Sequence, residues 1–364
     1  MNAHIINCDE TEFVNTFFPR GYLGVGIVIK RISPQRLSNA CRTSYSMYAD
    51  MKTIRQGDMV FVHAGQRIYG AFKAVTEFHE DPTTPQQFLS NNIHYQPDPN
   101  NPGSGWRSNI TTIPTIGYYR RMAIASFKDQ QRRNLCFVDG IDSTEVFELK
   151  FKKKIWSIPE RWLYTDASRT VRPLMENEAF ELLKIIERTN ADNPNRRSIT
   201  PAKLSRYIPI QFILNPDIVT DEKIIEGWIL GNIGRHRNLD SSLGPLTSFG
   251  NNVPAGYLKF MDIFGYQELS TGIKKYKVVE VKKDDCIFPD HVNQLLGYVD
   301  WVVENIAGGD YRLVEGAIIA RGFDNDCVNF VNNFNTVGMG RKIRLIKFDY
   351  APPTYNHLNI TRMV

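Results

Sequence analysis

The sequence predicts a mixed α/β (α+β) protein of two domains: a strand-rich barrel, then a mixed sheet flanked by helices. Three observations lead there. At 364 residues the chain exceeds what one typical core organises. The stretch RTNADNPNRRSITPAKLSR at 188–206 is polar, carries two prolines and has no apolar period, so it reads as an exposed, extended connection. The apolar rhythm also differs on its two sides. The expected domains are therefore 1–190 and 207–364, with a linker at 191–206.

Strand signals dominate the first domain. YLGVGIVIKR at 22–31 is rich in β-branched residues and reads as a half-buried strand. Residues 59–62 and 68–75 form a hairpin around HAGQR. Residues 135–138 and 146–151 read as further strands, and 34–40 as a short helix. Short strands with few helices predict a small barrel. Residues 81–117 hold six prolines and Trp106, and a loop this long is usually functional or disordered. From 176 to 188 the pattern is an amphipathic helix, with Phe180, Leu182, Leu183 and Ile186 opposite Glu176, Glu178, Glu181 and Glu187.

The second domain opens with a helix at 221–232, N-capped by Thr220 or Asp221. A Gly- and Asn-rich stretch follows to about residue 256. Strands are expected at 257–265 and 275–282, then a helix at 292–305 with Leu295, Leu296, Val299 and Val302 on its apolar side. A buried strand at 313–320, a helix at 327–334 and a strand at 342–348 complete an α-β-β-α-β-α-β order, which means a mixed sheet between helices.

Composition narrows the class. Hydrophobic residues are 42% and charged residues 23%, which excludes a collagen-like, coiled-coil or largely disordered chain. No apolar run reaches the roughly 18 residues that a membrane span needs. The start MNAHII lacks the basic and apolar regions of a signal peptide, so a cytoplasmic location is expected. Cys8, Cys41, Cys136, Cys286 and Cys327 are scattered and read as reduced thiols rather than a zinc site or disulfide framework. The net charge of +5 permits a nucleic-acid partner without requiring one.

The strongest chemical signal lies between 262 and 298. Asp262 sits in YLKFMDIFGY, and Glu280 and Lys282 sit two apart in KYKVVEVKK. Strand side chains alternate, so Glu280 and Lys282 share a face. Edge strands often alternate Glu and Lys against solvent, but the flanks Phe260-Met261 and Val278-Val279 are apolar. A carboxylate in such a run needs a partner, and a divalent ion is a good one. Oxygen-only ligands favour Mg²⁺, with Mn²⁺ able to substitute. Such an ion polarises a phosphoryl oxygen and acidifies its bound water, the chemistry of phosphodiester hydrolysis. Gln294 and Tyr298, four apart on the next helix, share a face, and Glu226 on the preceding helix offers a further carboxylate.

These pieces together resemble the PD-(D/E)xK nucleases of the RecB-like, NucS-type branch. The matching segments are IIEGWIL with Glu226, FMDIFG with Asp262, VVEVKK with Glu280 and Lys282, NQLLGYVDWV with Gln294 and Tyr298, and LVEGAIIARG. The resemblance covers about 130 residues, within 220–350. It implies a restriction-endonuclease-like fold and Mg²⁺-dependent DNA cleavage. Asp262 and Glu280 would hold the metal, Lys282 would be the catalytic lysine, and Glu226, Gln294 and Tyr298 would support them. The stretch 234–256 is longer than the family pattern, which leaves Glu222, one turn earlier, as a rival to Glu226.

The first domain shows no such acid cluster. Arg120-Arg121, Arg132-Arg133 and Lys152-Lys153-Lys154 are candidates to follow a phosphate backbone. Tyr45, Tyr48, Phe78, Trp106, Tyr118 and Tyr119 are candidates to stack a flipped base. The alternative for most of these aromatics is a place in the core. GVGIVIK, then IRQGDMVFVHAGQRIYGAFKAVTEFHED, then TVRPLMENEAFELLKII resemble the EVE and YTH domains of the PUA-like superfamily, in the same order. That resemblance implies a PUA-like β-barrel holding a modified base in an aromatic cage. The first cage tryptophan is absent from SNACRTSYSMY, where Tyr45 or Tyr48 would substitute, and Trp106 would be a later cage aromatic.

A modified-base reader fused to a nuclease describes a modification-dependent DNA endonuclease, with cutting directed by effective concentration. Double-strand cutting by one site per chain implies a homodimer. The alternatives are a repair nuclease acting on mismatched or branched DNA, and a non-catalytic reader of modified nucleic acid.

Overall fold

A computed structural model describes residues 2–26, 31–81, 95–97, 106–108, 119–158, 171–203 and 221–364, with short breaks, and a few positions between 203 and 221. Two mixed sheets dominate it, one of nine strands and one of six.

In the nine-stranded sheet, β1 (Ala3–Cys8), β2 (Tyr22–Gly26), β3 (Met59–Ala64), β4 (Arg67–Ala74), β5 (His79–Asp81), β6 (Tyr119–Ser126), β7 (Cys136–Asp142), β8 (Val171–Leu174) and β9 (Ile208–Pro209) follow the path β8-β1-β3-β4-β6-β5-β9. Strand β7 joins β4, and β2 joins β6. The β3–β4 hairpin forms as expected. Its turn residues Gly65 and Gln66 both take positive φ, the geometry that matches the twist of paired strands. Strand β4 pairs with β7 through Arg67–Gly70 and with β6 through Phe72–Ala74. The path branches there and does not close among the described residues, so the expected barrel appears as an open, branched sheet.

Further expectations are corrected. In place of the short helix expected at 34–40, Arg36–Leu37 is paired as a strand, and helix α1 runs from Asn39 to Lys52. Residues 144–151 are helix α2 (Thr144–Phe151), not a strand. The alternation of Phe147, Leu149 and Phe151 with Glu148 and Lys150 is overridden because Val146 and Leu149, three apart, are both buried while Phe151 is exposed. The stretch expected to be an exposed, extended connection is mostly exposed where described, yet it is anchored: the Arg197 and Ala202 amides donate to the carbonyls of Cys136 and Gly21, at 2.9 and 3.0 Å, and Ile199 is buried. Helix α3 (Glu176–Thr189) has the expected span, but two of its side chains are reversed: Glu178, expected on the solvated side, is fully buried with both oxygens hydrogen-bonded, and Phe180, expected on the apolar side, is exposed.

The C-terminal half begins with α4 (Glu222–Asn232) and α5 (Arg237–Leu243). Strands β10 (Ser248–Pro254), β11 (Phe260–Ser270) and β12 (Ile273–Val281) form a meander. Helix α6 (Asp290–Asn305) leads to β13 (Val314–Ala320), and α7 (Asn325–Val337) leads to β14 (Lys342–Tyr350) and β15 (Leu358–Arg362). The sheet order is β10-β11-β12-β13-β14-β15, with the β12–β13 and β13–β14 pairs parallel. The Gly/Asn-rich stretch 234–256 is therefore ordered structure, helix α5 plus edge strand β10. A side-chain cap from His236 to the Leu239 amide at 3.3 Å opens that helix.

Strand alternation divides the core. Ile263, Val279, Val281, Ala317 and Ile319 face α4 and α5, where Ile225, Ile229, Leu239 and Leu243 meet them. Phe264, Val278, Ile318 and Leu345 face α6 and α7, where Leu295, Val299 and Val331 pack. The first of these cores continues without a break into the N-terminal half, through Tyr48, Met51, Ile54 and Phe72. The Arg55 guanidinium, beyond the end of α1, donates to the carbonyls of Leu230, Gly231 and Ile233, completing the C-terminus of α4. Among the described residues no helix is long and apolar enough to cross a membrane.

Candidate active site

The site lies where the α4 N-terminus, the β11–β12 pair and α6 meet. Of the two N-caps considered, Asp221 opens α4: its carboxylate accepts the Lys223 amide at 2.9 Å. Three residues on from Lys223, Glu226 is fully buried. The β11–β12 register pairs Ile263 with Val279, so Asp262 arrives across from Glu280. Asp262 Oδ2 accepts the Val281 amide at 2.9 Å, and its Oδ1 accepts the Lys223 ammonium at 3.2 Å. The same ammonium pairs with Glu226.

Glu280 is 2% exposed. Its Oε1 accepts the Lys282 ammonium at 2.6 Å and the Gln294 amide at 2.8 Å. Gln294 also donates to the Tyr298 hydroxyl at 3.1 Å, so the two helix residues form one chain of hydrogen bonds ending on Glu280. The other oxygen, Oε2, is buried with no hydrogen-bond partner among the described residues. A buried carboxylate oxygen left in this state is costly.

The electrostatics follow from this crowding. Burial, and then the nearby Asp262 charge, push the Glu280 carboxyl up to about 7 against the opposing pull of Lys282. Burial and Asp262 likewise raise Glu222, while Lys282 opposes them. Burial works against the Lys282 ammonium, but Glu280, Glu222 and Asp262 outweigh it and hold its pKa above the ordinary lysine value. Both rival acids on α4 thus belong to the site: Glu226 through Lys223, and Glu222 through its field on Lys282 and Glu280.

Among the described residues the site does not form a complete cage for a divalent ion: no group of three or more His, Cys, Asp or Glu side chains converges on one ion position. Asp262 and the unpartnered Glu280 Oε2 fit the two-carboxylate ligand set expected for Mg²⁺, with water filling the remaining positions.

All six predicted catalytic positions, Glu226, Asp262, Glu280, Lys282, Gln294 and Tyr298, fall in this one region. Lys223 was missed. Its three-residue spacing from Glu226 was readable, but its contact with Asp262 is made across the fold.

The N-terminal candidates are not gathered in the same way. Tyr48 and Phe78 are each 3% exposed, within the main core, so neither is presented to a base in this structure. Tyr45 is half-buried against the same core. Trp106 has its backbone in a two-stranded pairing with Pro97, and its side chain lies outside the described ones. Arg120, Arg121 and Tyr119 are placed on β6 by their backbone only. Tyr118 and Lys153 lie outside the described residues. Arg132 and Arg133 are exposed on the turn between β6 and β7. Lys152 and Lys154 are engaged with Glu148 and Glu181.

No protein-family model and no curated protein matches the chain. Among solved structures, the crystal structure of a repair endonuclease from Pyrococcus abyssi is similar at 20% identity, over 34% of this chain and 44% of that one, with a TM-score of 0.23. The chain thus spans less than half the length of that protein, and a TM-score this low does not establish a shared fold.

Proposed function

We propose that the chain is a metal-dependent DNA endonuclease whose active site is the Asp262–Glu280–Lys282 cluster. The observation that carries this reading is the state of Glu280. It is a buried carboxylate with one oxygen fixed by Lys282 and Gln294 and the other without a partner, across from a second carboxylate. A purely structural carboxylate would have both oxygens satisfied, as Glu178 does: its two oxygens accept the Trp156, Ser157 and Met175 amides and the Ser157 hydroxyl.

Asp262 and Glu280 would hold a Mg²⁺ ion, or Mn²⁺ in its place. When bound, that ion supplies Lewis-acid polarisation of the scissile phosphate and a more acidic water. The chain's own residues do the rest. The Val281 amide fixes the Asp262 carboxylate, and the Gln294–Tyr298 chain fixes Glu280, so both ligands are oriented in advance. The Lys282 ammonium, held charged by three acids, faces the phosphate as a hydrogen-bond donor and stabilises the charge that develops on its oxygens.

The N-terminal half selects the DNA in this reading. The resemblance of the N-terminal segments to EVE and YTH domains is what favours selection through a flipped modified base, with the exposed Arg132 and Arg133 as candidates to follow the backbone. Cutting of both strands then requires a homodimer.

The test is cleavage, with Mg²⁺ or Mn²⁺, of matched duplexes carrying cytosine, 5-methylcytosine, 5-hydroxymethylcytosine or N6-methyladenine, beside a mismatched duplex. Cutting confined to one modified duplex supports the reader–nuclease reading. Cutting of the mismatch alone moves the assignment to repair. Binding without cutting of any duplex refutes the nuclease.

A further inference from the structure

Lys223 is a cation inside the site that the reaction above leaves without a task. We propose that its ammonium stands where a second divalent ion would sit, between Glu226 and Asp262, so that the site takes one ion only. This rests on the nuclease reading.

Placement is the first argument. Asp262 lies between two neighbours, with Glu226 on one side and Glu280 on the other. The gap toward Glu226 is bridged by the Lys223 ammonium, which contacts Glu226 and lies 3.2 Å from Asp262 Oδ1. The gap toward Glu280 ends on an oxygen with no hydrogen-bond partner among the described residues. A lysine ammonium bridges Asp262 and Glu226, whereas among the described residues none bridges Asp262 and Glu280.

Charge is the second argument. Glu226 is fully buried, and its charge is met by the Lys223 ammonium, which also reaches Asp262. A divalent ion added in the same gap would set its charge against that ammonium at contact range, in surroundings where unbalanced charge is expensive.

Construction is the third. Lys223 is held by its backbone, because its amide is the group capped by Asp221. That cap fixes the start of α4 and sets Lys223 and Glu226 on one helical face. Glu226 is fully buried, and a tethered ammonium neutralises it without the dehydration that Mg²⁺ resists.

The experiment counts Mn²⁺ ions bound per full-length chain near neutral pH, by the electron paramagnetic resonance signal of free Mn²⁺. The expected result is one ion for the wild type, two for Lys223→Met and one for Lys223→Arg. Two ions on the wild type, or one on a folded Lys223→Met, overturns the proposal. A Lys223 that is only a structural ion pair would lower the melting temperature of Lys223→Met while leaving its count at one. Should that variant fail to fold, Lys223→Gln takes its place in the count: two ions sustain the proposal, and one ion on the folded protein overturns it. A count of zero on every protein, with Asp262→Ala indistinguishable from wild type, refutes the nuclease reading itself, and the proposal with it.

Discussion

Replacing Glu315 with Gln removes the single acid from a buried cluster of cations at the far end of the C-terminal sheet. Glu315 is 3% exposed on β13. It accepts from Lys277 at 2.6 Å and from Arg344 at 2.5 Å, and Lys275 lies 3.7 Å away. Burial alone would raise its carboxyl, but Lys277 and Arg344 outweigh burial and hold it at about 2, against an ordinary 4.5. That gap corresponds to about 3 kcal/mol of stability. Lys277 moves the other way: burial lowers its pKa by more than Glu315 raises it, and Arg344 and Lys275 add to the lowering. The two directions agree physically, since one acid gains from three cations while the cations repel one another. The depressed carboxyl fixes the sign of the pH effect. Its contribution is complete above about pH 4.5 and is lost as pH falls toward 2. Urea unfolding of Glu315→Gln near pH 7 should therefore show a loss of about 3 kcal/mol relative to wild type, shrinking as both proteins are taken toward pH 2. A loss below about 1 kcal/mol at neutral pH, or one that does not change with pH, would refute the reasoning.

Other expectations follow from the same structure. Arg55→Ala leaves three carbonyls at the α4 C-terminus without their donor, and should cost about 2 kcal/mol, with faster amide exchange at Leu230–Ile233 by mass spectrometry. Gly70→Ala puts a methyl group 2.0 Å from the Leu135 carbonyl, at φ 115°, and should destabilise by more than about 2 kcal/mol, visible as a lowered thermal midpoint. Gln294→Ala frees Glu280 Oε1 of one donor, and should reduce cleavage about 10- to 100-fold with little change in melting temperature.

How far the sequence alone reached depended on the range of the contacts involved. Asp262, Glu280 and Lys282 were legible because strand parity is local, and a carboxylate inside VVEV stands out against its neighbours. Gln294 and Tyr298 were legible because helical spacing is local too. Lys223 was not, since only the packing of α4 over the β11–β12 pair brings it to Asp262. The strand expected at 146–151 failed because so short a segment also fits a helix with Val146 and Leu149, three apart, inward. No element was legible in the segment 234–256 because its glycines and asparagines mask a capped seven-residue helix, α5, and the edge strand β10, both stabilised by burial of Leu239, Leu243 and Phe249. The N-terminal aromatics were readable as a set but not as a cage. Composition cannot separate a ring that fills a core, as Tyr48 does, from one that receives a ligand.

The central claim is that Asp262 and Lys282 hydrolyse DNA. The most direct measurement is conversion of supercoiled plasmid carrying modified bases to nicked and linear forms in Mg²⁺ or Mn²⁺, for wild type, Asp262→Asn and Lys282→Met. The account predicts cutting by the wild type that EDTA abolishes, and a loss of at least about a thousandfold in each folded variant. Cutting by either variant at the wild-type rate would contradict it.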